Sequence, residues 1–243
     1  MLKIFSTTKK AYTLVELSIV LVIISIFLSS GLNIFTNNIV QTKTVNTKEK
    51  LNIIYRSLAE YLMQNKKLPC PIILTLAKDK DTNLNYGAMI SGCATSPNQI
   101  TIGALPTRDL GLPNDMAEDD FGNKILYVVD NRLIPAAQSN FNATNFSDGA
   151  ISISGQSSTK PVLLLLSFGA NSCGSYKTNG QQNTICNLGN DGSGQNENSN
   201  NDTTFATSDN TTPKFDDVVL TKTYYDFLQE LNLTHTQSQA YFQ

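Results

Sequence analysis

Histidine is almost missing from this chain: His235 is the only one in 243 residues. A single imidazole in the polar tail leaves no base to pair with a nucleophile, and no GxxxxGK or GxGxxG run is present to cradle phosphates. The sequence therefore predicts a protein that is not an enzyme. The same shortage argues against zinc, since the four cysteines form no CxxC and no second histidine can complete a ligand set. Proline is absent from residues 1–68, and between Lys10 and Lys43 the only charged residue is Glu16. The first eleven residues hold Lys3, Lys9 and Lys10 and no acid. With a formal net charge of −2, which becomes −5 if those lysines are removed, the chain lacks the basic footprint of a nucleic-acid binder, and no nucleic-acid partner is expected.

What is there instead is a long apolar run. From Leu17 to Leu32 it is interrupted only by Ser18, Ser25, Ser29, Ser30 and Gly31. Counted from Tyr12 it is long enough to cross about 30 Å of hydrocarbon as a helix. A secretory signal has a shorter apolar core, roughly 7–15 residues, with a small-residue cut after it. Lysines lie before the run and no Lys or Arg follows until Lys43, which predicts a cytoplasmic N-terminus. A carboxylate at the head of such a span costs roughly 2.5–3.5 kcal/mol on insertion scales, so Glu16 calls for a partner or a function.

The basic leader, the sequence Tyr12-Thr13-Leu14-Val15-Glu16-Leu17 and the apolar run resemble the N-terminus of type IV prepilins and of type II secretion pseudopilins. The resemblance implies cleavage between Ala11 and Tyr12 by a prepilin peptidase and N-methylation of Tyr12. Glu16 then stands fifth in the mature chain, where the family uses it in assembly. Ala11 replaces the usual Gly, and Tyr12 the usual Phe. The partners implied are the peptidase, other pilin or pseudopilin subunits, and the bacterial inner membrane. The chain would cross that membrane once, with its globular part in the periplasm.

Past the apolar run the helix is predicted to continue. Leu51, Ile54, Leu58 and Leu62 recur at three- and four-residue steps, while Lys48, Lys50, Arg56 and Glu60 fall off that stripe. One helix from about Thr13 to Asn65 would measure roughly 80 Å at 1.5 Å per residue. Pro69 and Pro71 are expected to end it. The apolar stripe needs a sheet to cover it. Strand candidates are 125–129, 150–154, 162–166 and 218–220, with a closing helix at 224–231. Strands without long intervening helices predict an antiparallel sheet, hence an α+β fold.

A second resemblance runs through islands of the globular part. These are Leu68-Pro69-Cys70-Pro71, Gly103-Ala104-Leu105-Pro106, Asp120-Phe121-Gly122-Asn123, Ser167-Phe168-Gly169-Ala170-Asn171 and Phe215-Asp216-Asp217-Val218. Together they are similar to a pilin-like subfamily of Gram-negative bacteria, which implies a pilin-like fold and a minor subunit. The domain plan is a leader at 1–11, a membrane or filament-core helix at 12–35 and its amphipathic extension at 36–66. A periplasmic β-rich domain follows at 67–243, with a disordered-like, Asn-rich loop at 187–213.

In an exported domain Cys70, Cys93, Cys173 and Cys186 suggest two disulfides. Of the three possible pairings, Cys70–Cys93 with Cys173–Cys186 is the simplest. Residues 79–90 begin like an EF-hand loop, but Leu84 and Ile90 occupy the places of its obligatory Gly and Glu. Calcium is a possible cofactor in the 187–213 loop, with Asp191 and Asp202 as carboxylate ligands, by analogy with the major pseudopilins. Two functions are open at this point: a subunit of a type IV pilus or secretion pseudopilus, or a membrane-tethered periplasmic binding domain or adhesin.

Overall fold

The computed structural model describes residues 12–78, 86–89, 93, 99–134, 148–156, 160–186, 193–200, 202–207 and 215–241, without the side chains of 28–36. The chain divides into two compact units between Thr42 and Lys43. Helix α1, Leu14–Asn65, begins in the first and ends in the second.

In the first unit the described side chains of α1 are exposed throughout, Leu14, Val15, Leu17 and Phe27 among them. Ser18 and Ser25 turn their hydroxyls onto the carbonyls of Val15 and Val22, at 2.7 and 2.8 Å. These two hydroxyls are thus satisfied by the helix itself. Among the described residues no helix is long and apolar enough to cross a membrane.

In the second unit the expected stripe is buried: Leu51, Ile54, Tyr55, Leu58, Ala59 and Leu62 are all at most 3 % exposed. Ile53, on the opposite side of the helix, is 49 % exposed. The prolines do not end the helix. The backbone turns at Lys66, which adopts a left-handed φ of 64° while its N–H still bonds the Leu62 carbonyl at 2.8 Å. That left-handed exit stops a helix without any proline, three residues before Pro69.

The main sheet has four antiparallel strands in the order β1 (Ile100–Ala104), β2 (Leu126–Asp130), β4 (Leu163–Ser167) and β6 (Val218–Lys222). Side chains alternate across it. Tyr127, Val129, Leu163, Leu165 and Val218 join the core beneath α1. Leu126, Val128, Leu164 and Leu166 join a second core on the opposite face, with Ile151, Phe168 and Phe205. Both faces are covered, so β2 and β4 are fully buried and are apolar up to their last residues, Asp130 and Ser167.

The second core is capped by a two-stranded sheet of β3 (Ser152–Ile153) and β5 (Thr204–Phe205), which pair in parallel. The α+β expectation holds in its coarse form, with this parallel pair as an addition to the antiparallel sheet. Helix α2, Ser193–Ser199, precedes β5; α3, Tyr224–Glu230, and α4, His235–Tyr241, follow β6. Thr223 and Asp226 cap α3 reciprocally, and Tyr55 meets Phe227 edge-on at 5.2 Å.

The disordered-like reading of 187–213 needs correction over its described residues. Gln195, Asn198, Ser199, Phe205 and Ala206 are buried there. Composition misled because the buried groups are polar and bonded in pairs. Asn198 donates to the Ala206 carbonyl at 3.0 Å and accepts the Ala206 N–H at 2.8 Å, which lets an amide side chain act as a strand partner.

Candidate processing and assembly site

Tyr12 is 81 % exposed and precedes the helix. Thr13 caps α1: its hydroxyl accepts the Glu16 N–H at 3.3 Å and its carbonyl the Leu17 N–H at 3.1 Å. This cap is legible in the sequence, since Thr-x-x-Glu is the spacing of a capping box. Glu16 lies in the first turn, where the amino end of the helix dipole favours a negative charge. Its carboxylate is exposed and makes no hydrogen bond or ion pair among the described residues. Ala11 and the leader lie outside the described residues.

The islands of the globular part come together in pairs. Ile72, just past Leu68-Pro69-Cys70-Pro71, exchanges two backbone hydrogen bonds with Ala104, at 2.9 and 2.8 Å. Tyr127 donates to the Pro69 carbonyl at 3.0 Å. Asp119 organises the turn before β2: its carboxylate accepts the N–H groups of Phe121 and Asn123 and the hydroxyl of Ser167. Burial raises its pKa against the pull of those bonds. Lys50 of α1 locks onto the same turn, 3.1 Å from Asp120 and bonded to the Glu118 carbonyl at 2.7 Å. Asp216 accepts the Asn171 N–H at 2.8 Å, joining the island after β4 to the one before β6.

Helix α2 rests on the two acids of that last island. Gln195 donates to Asp216, and Asn198 donates to Asp217 at 2.7 Å. Burial pushes the Asp217 carboxyl up to about 7, with Asp216 beside it adding to the rise and Asn198 opposing it. These acids are more than the turn and capping groups that a pair of aspartates before a strand suggests.

Cys70 and Cys93 form the expected disulfide, with a Cα–Cα distance of 5.9 Å and a sequence separation of 23. The expected Cys173–Cys186 bond is not formed, which corrects the second pairing. Gly174 bonds to Thr184, and Tyr176 bridges Gln182, so this stretch is a hairpin. Extending that pairing sets Cys173 opposite Ile185 and turns Cys186 to the other face. There Cys186 is buried under α2, its N–H bonded to Ser199 and its carbonyl to Asn196.

Of the two proposed calcium ligands, Asp202 lies among the described residues. Asp191 lies outside the described residues. Both oxygens of Asp202 are already engaged, by the Thr204 N–H at 2.7 Å and the Asn200 side chain at 2.9 Å. Among the described residues no group of three acids, cysteines or histidines could hold a metal ion. Asp202 is a turn-forming aspartate here.

Compared with protein-family models, with curated proteins and with solved structures, the chain matches none.

Proposed function

We propose that this chain is a prepilin-class structural subunit, cut after Ala11 and methylated on Tyr12. In this reading residues 12–35 hold it in the bacterial inner membrane until it enters a type IV pilus or a type II secretion pseudopilus, as a minor subunit. The observation that carries the proposal is Glu16: a lone carboxylate without a partner among the described residues, in the first turn of a helix whose described side chains up to Phe27 are all exposed. Exposed Leu14, Val15, Leu17, Ile19 and Val20 need an apolar surrounding, which lipid or sister helices supply. Inside such a surrounding an unpaired charge costs several kcal/mol, so Glu16 takes the charged amine of a neighbouring Tyr12. The later part of α1, laid on an antiparallel sheet, agrees with the pilin-like plan. No catalytic role is proposed.

The test is processing followed by assembly. Intact mass of the membrane fraction, in a host with an active prepilin peptidase, should show loss of residues 1–11 and gain of one methyl group. Glu16→Ala should insert in the membrane more readily than the parent and fail to enter filaments. A full-length chain in that host, or normal assembly of Glu16→Ala, would overturn the proposal.

A further inference from the structure

The main sheet ends on β6, and among the described residues no strand pairs with its outer edge. Alternate peptide groups of Val218–Lys222 therefore face away from β4, a row of donors and acceptors with no strand partner among the described residues. Beside this edge lies a cleft of about 340 Å³. Leu51, Phe215, Val218 and Leu220 give it apolar walls, and Lys48 and Asp217 stand among its lining residues. Asp217 is half-buried and receives one hydrogen bond, from Asn198, leaving an oxygen without a donor among the described residues.

Three features thus meet in one place: an open strand edge, an apolar recess and an under-compensated carboxylate. We infer that β6 and this cleft bind an extended peptide segment of a partner protein, in which a lysine or arginine sits among apolar residues. The backbone of the segment adds to the sheet as a fifth strand. One apolar side chain enters the recess, and the basic side chain completes the shell of Asp217. A helical ligand would leave the strand edge unused. Lys48 is exposed, so its repulsion of the incoming cation is screened by water, whereas the half-buried carboxylate acts at lower dielectric and decides the charge of the occupant. The inference uses residues of the second unit alone and does not depend on the filament reading.

The probe is a labelled peptide, acetyl-Val-Thr-Val-Lys-Val-Thr-amide, titrated against the full chain in detergent micelles at about pH 8 and followed by fluorescence anisotropy. Saturable binding is expected. Two isomers, N-methylated along one edge of the peptide or the other, separate strand addition from plain apolar contact: one should keep its affinity and the other lose it. Replacing the peptide lysine by glutamate, or Asp217→Asn in the protein, should each weaken binding about tenfold, with the variant's melting curve confirming that it folds. Absence of saturable binding would overturn the inference. Equal affinity of both methylated isomers would remove the strand, and indifference to both charge changes would remove the role of Asp217.

Discussion

Gly169 and Asp216 are packed backbone to backbone. A Cβ placed on Gly169 would collide with the Asp216 carbonyl, and the Gly169 φ of 61° already lies in the left-handed region. Gly155 has a similar φ of 73° but open space where its Cβ would stand. Gly169→Ala should therefore cost roughly 3 kcal/mol or more, strain and clash together, and Gly155→Ala about 1 kcal/mol from backbone strain alone. Denaturant melts of the two variants check this, and equal losses would show that the contact yields easily.

The two sides of α1 in the second unit should answer differently to truncation. Leu58 is fully buried, and Leu58→Ala should cost about 2–5 kcal/mol. Ile53 is 49 % exposed, and Ile53→Ala should change stability by roughly 0.5 kcal/mol or less. Comparable losses at both positions would mean that the exposed side is covered in the folded protein.

Non-reducing peptide mapping should link Cys70 to Cys93. Replacing both by serine should lower stability by about 3 kcal/mol in the loop-entropy account. A map that joins either residue to Cys173 or Cys186 would contradict the connection described for this domain.

Asp217 makes stability depend on pH in a defined direction. Its folded-state pKa of about 7 lies above the ordinary carboxylate value of about 3.9, so between these values the folded chain keeps a proton that the unfolded chain has released. The stabilising contribution is complete below about pH 4 and is lost as pH rises through about 7. Asp217→Asn should flatten the melting profile between pH 5 and 8 and melt a few degrees above the parent at pH 8. An unchanged profile would place the ionisation elsewhere.

Much of the fold was legible because apolar spacing speaks directly. Leu51, Ile54, Leu58 and Leu62 announced the buried side of α1, and the run from Val162 to Leu166 announced a strand covered on both faces. Strand β1 was overlooked because Ile100-Thr101-Ile102 is short and passes into Gly103, which lies where a Cβ would strike the Ile72 carbonyl. Helix α2 was illegible for another reason: Gln195 and Asn198 are held by Asp216 and Asp217, residues about twenty positions away, and no local pattern encodes such pairs. At the N-terminus Tyr12 and Glu16 stood out by charge and position, and the hydrogen bond that makes Thr13 a cap is seen in the structure.

The sheet's two apolar faces carry a cost in specificity. Sliding β2 or β4 by one residue exchanges side chains between two cores that are both hydrophobic, so burial alone scarcely penalises the slip. Alignment has to be fixed by polar groups at the strand ends. Asp130, fully buried, binds Arg132 and the Ala150 N–H; Thr101 meets Asn131 at 2.6 Å; Ser167 meets Asp119 at 2.6 Å. The contacts of Asp130 with Ala150, of Thr101 with Asn131 and of Ser167 with Asp119 would be broken by a one-residue shift of the strand concerned and would leave a buried polar group unsatisfied, at about 1–3 kcal/mol each. The apolar residues make the sheet stable, and these few polar ones select which of its possible alignments is the native one.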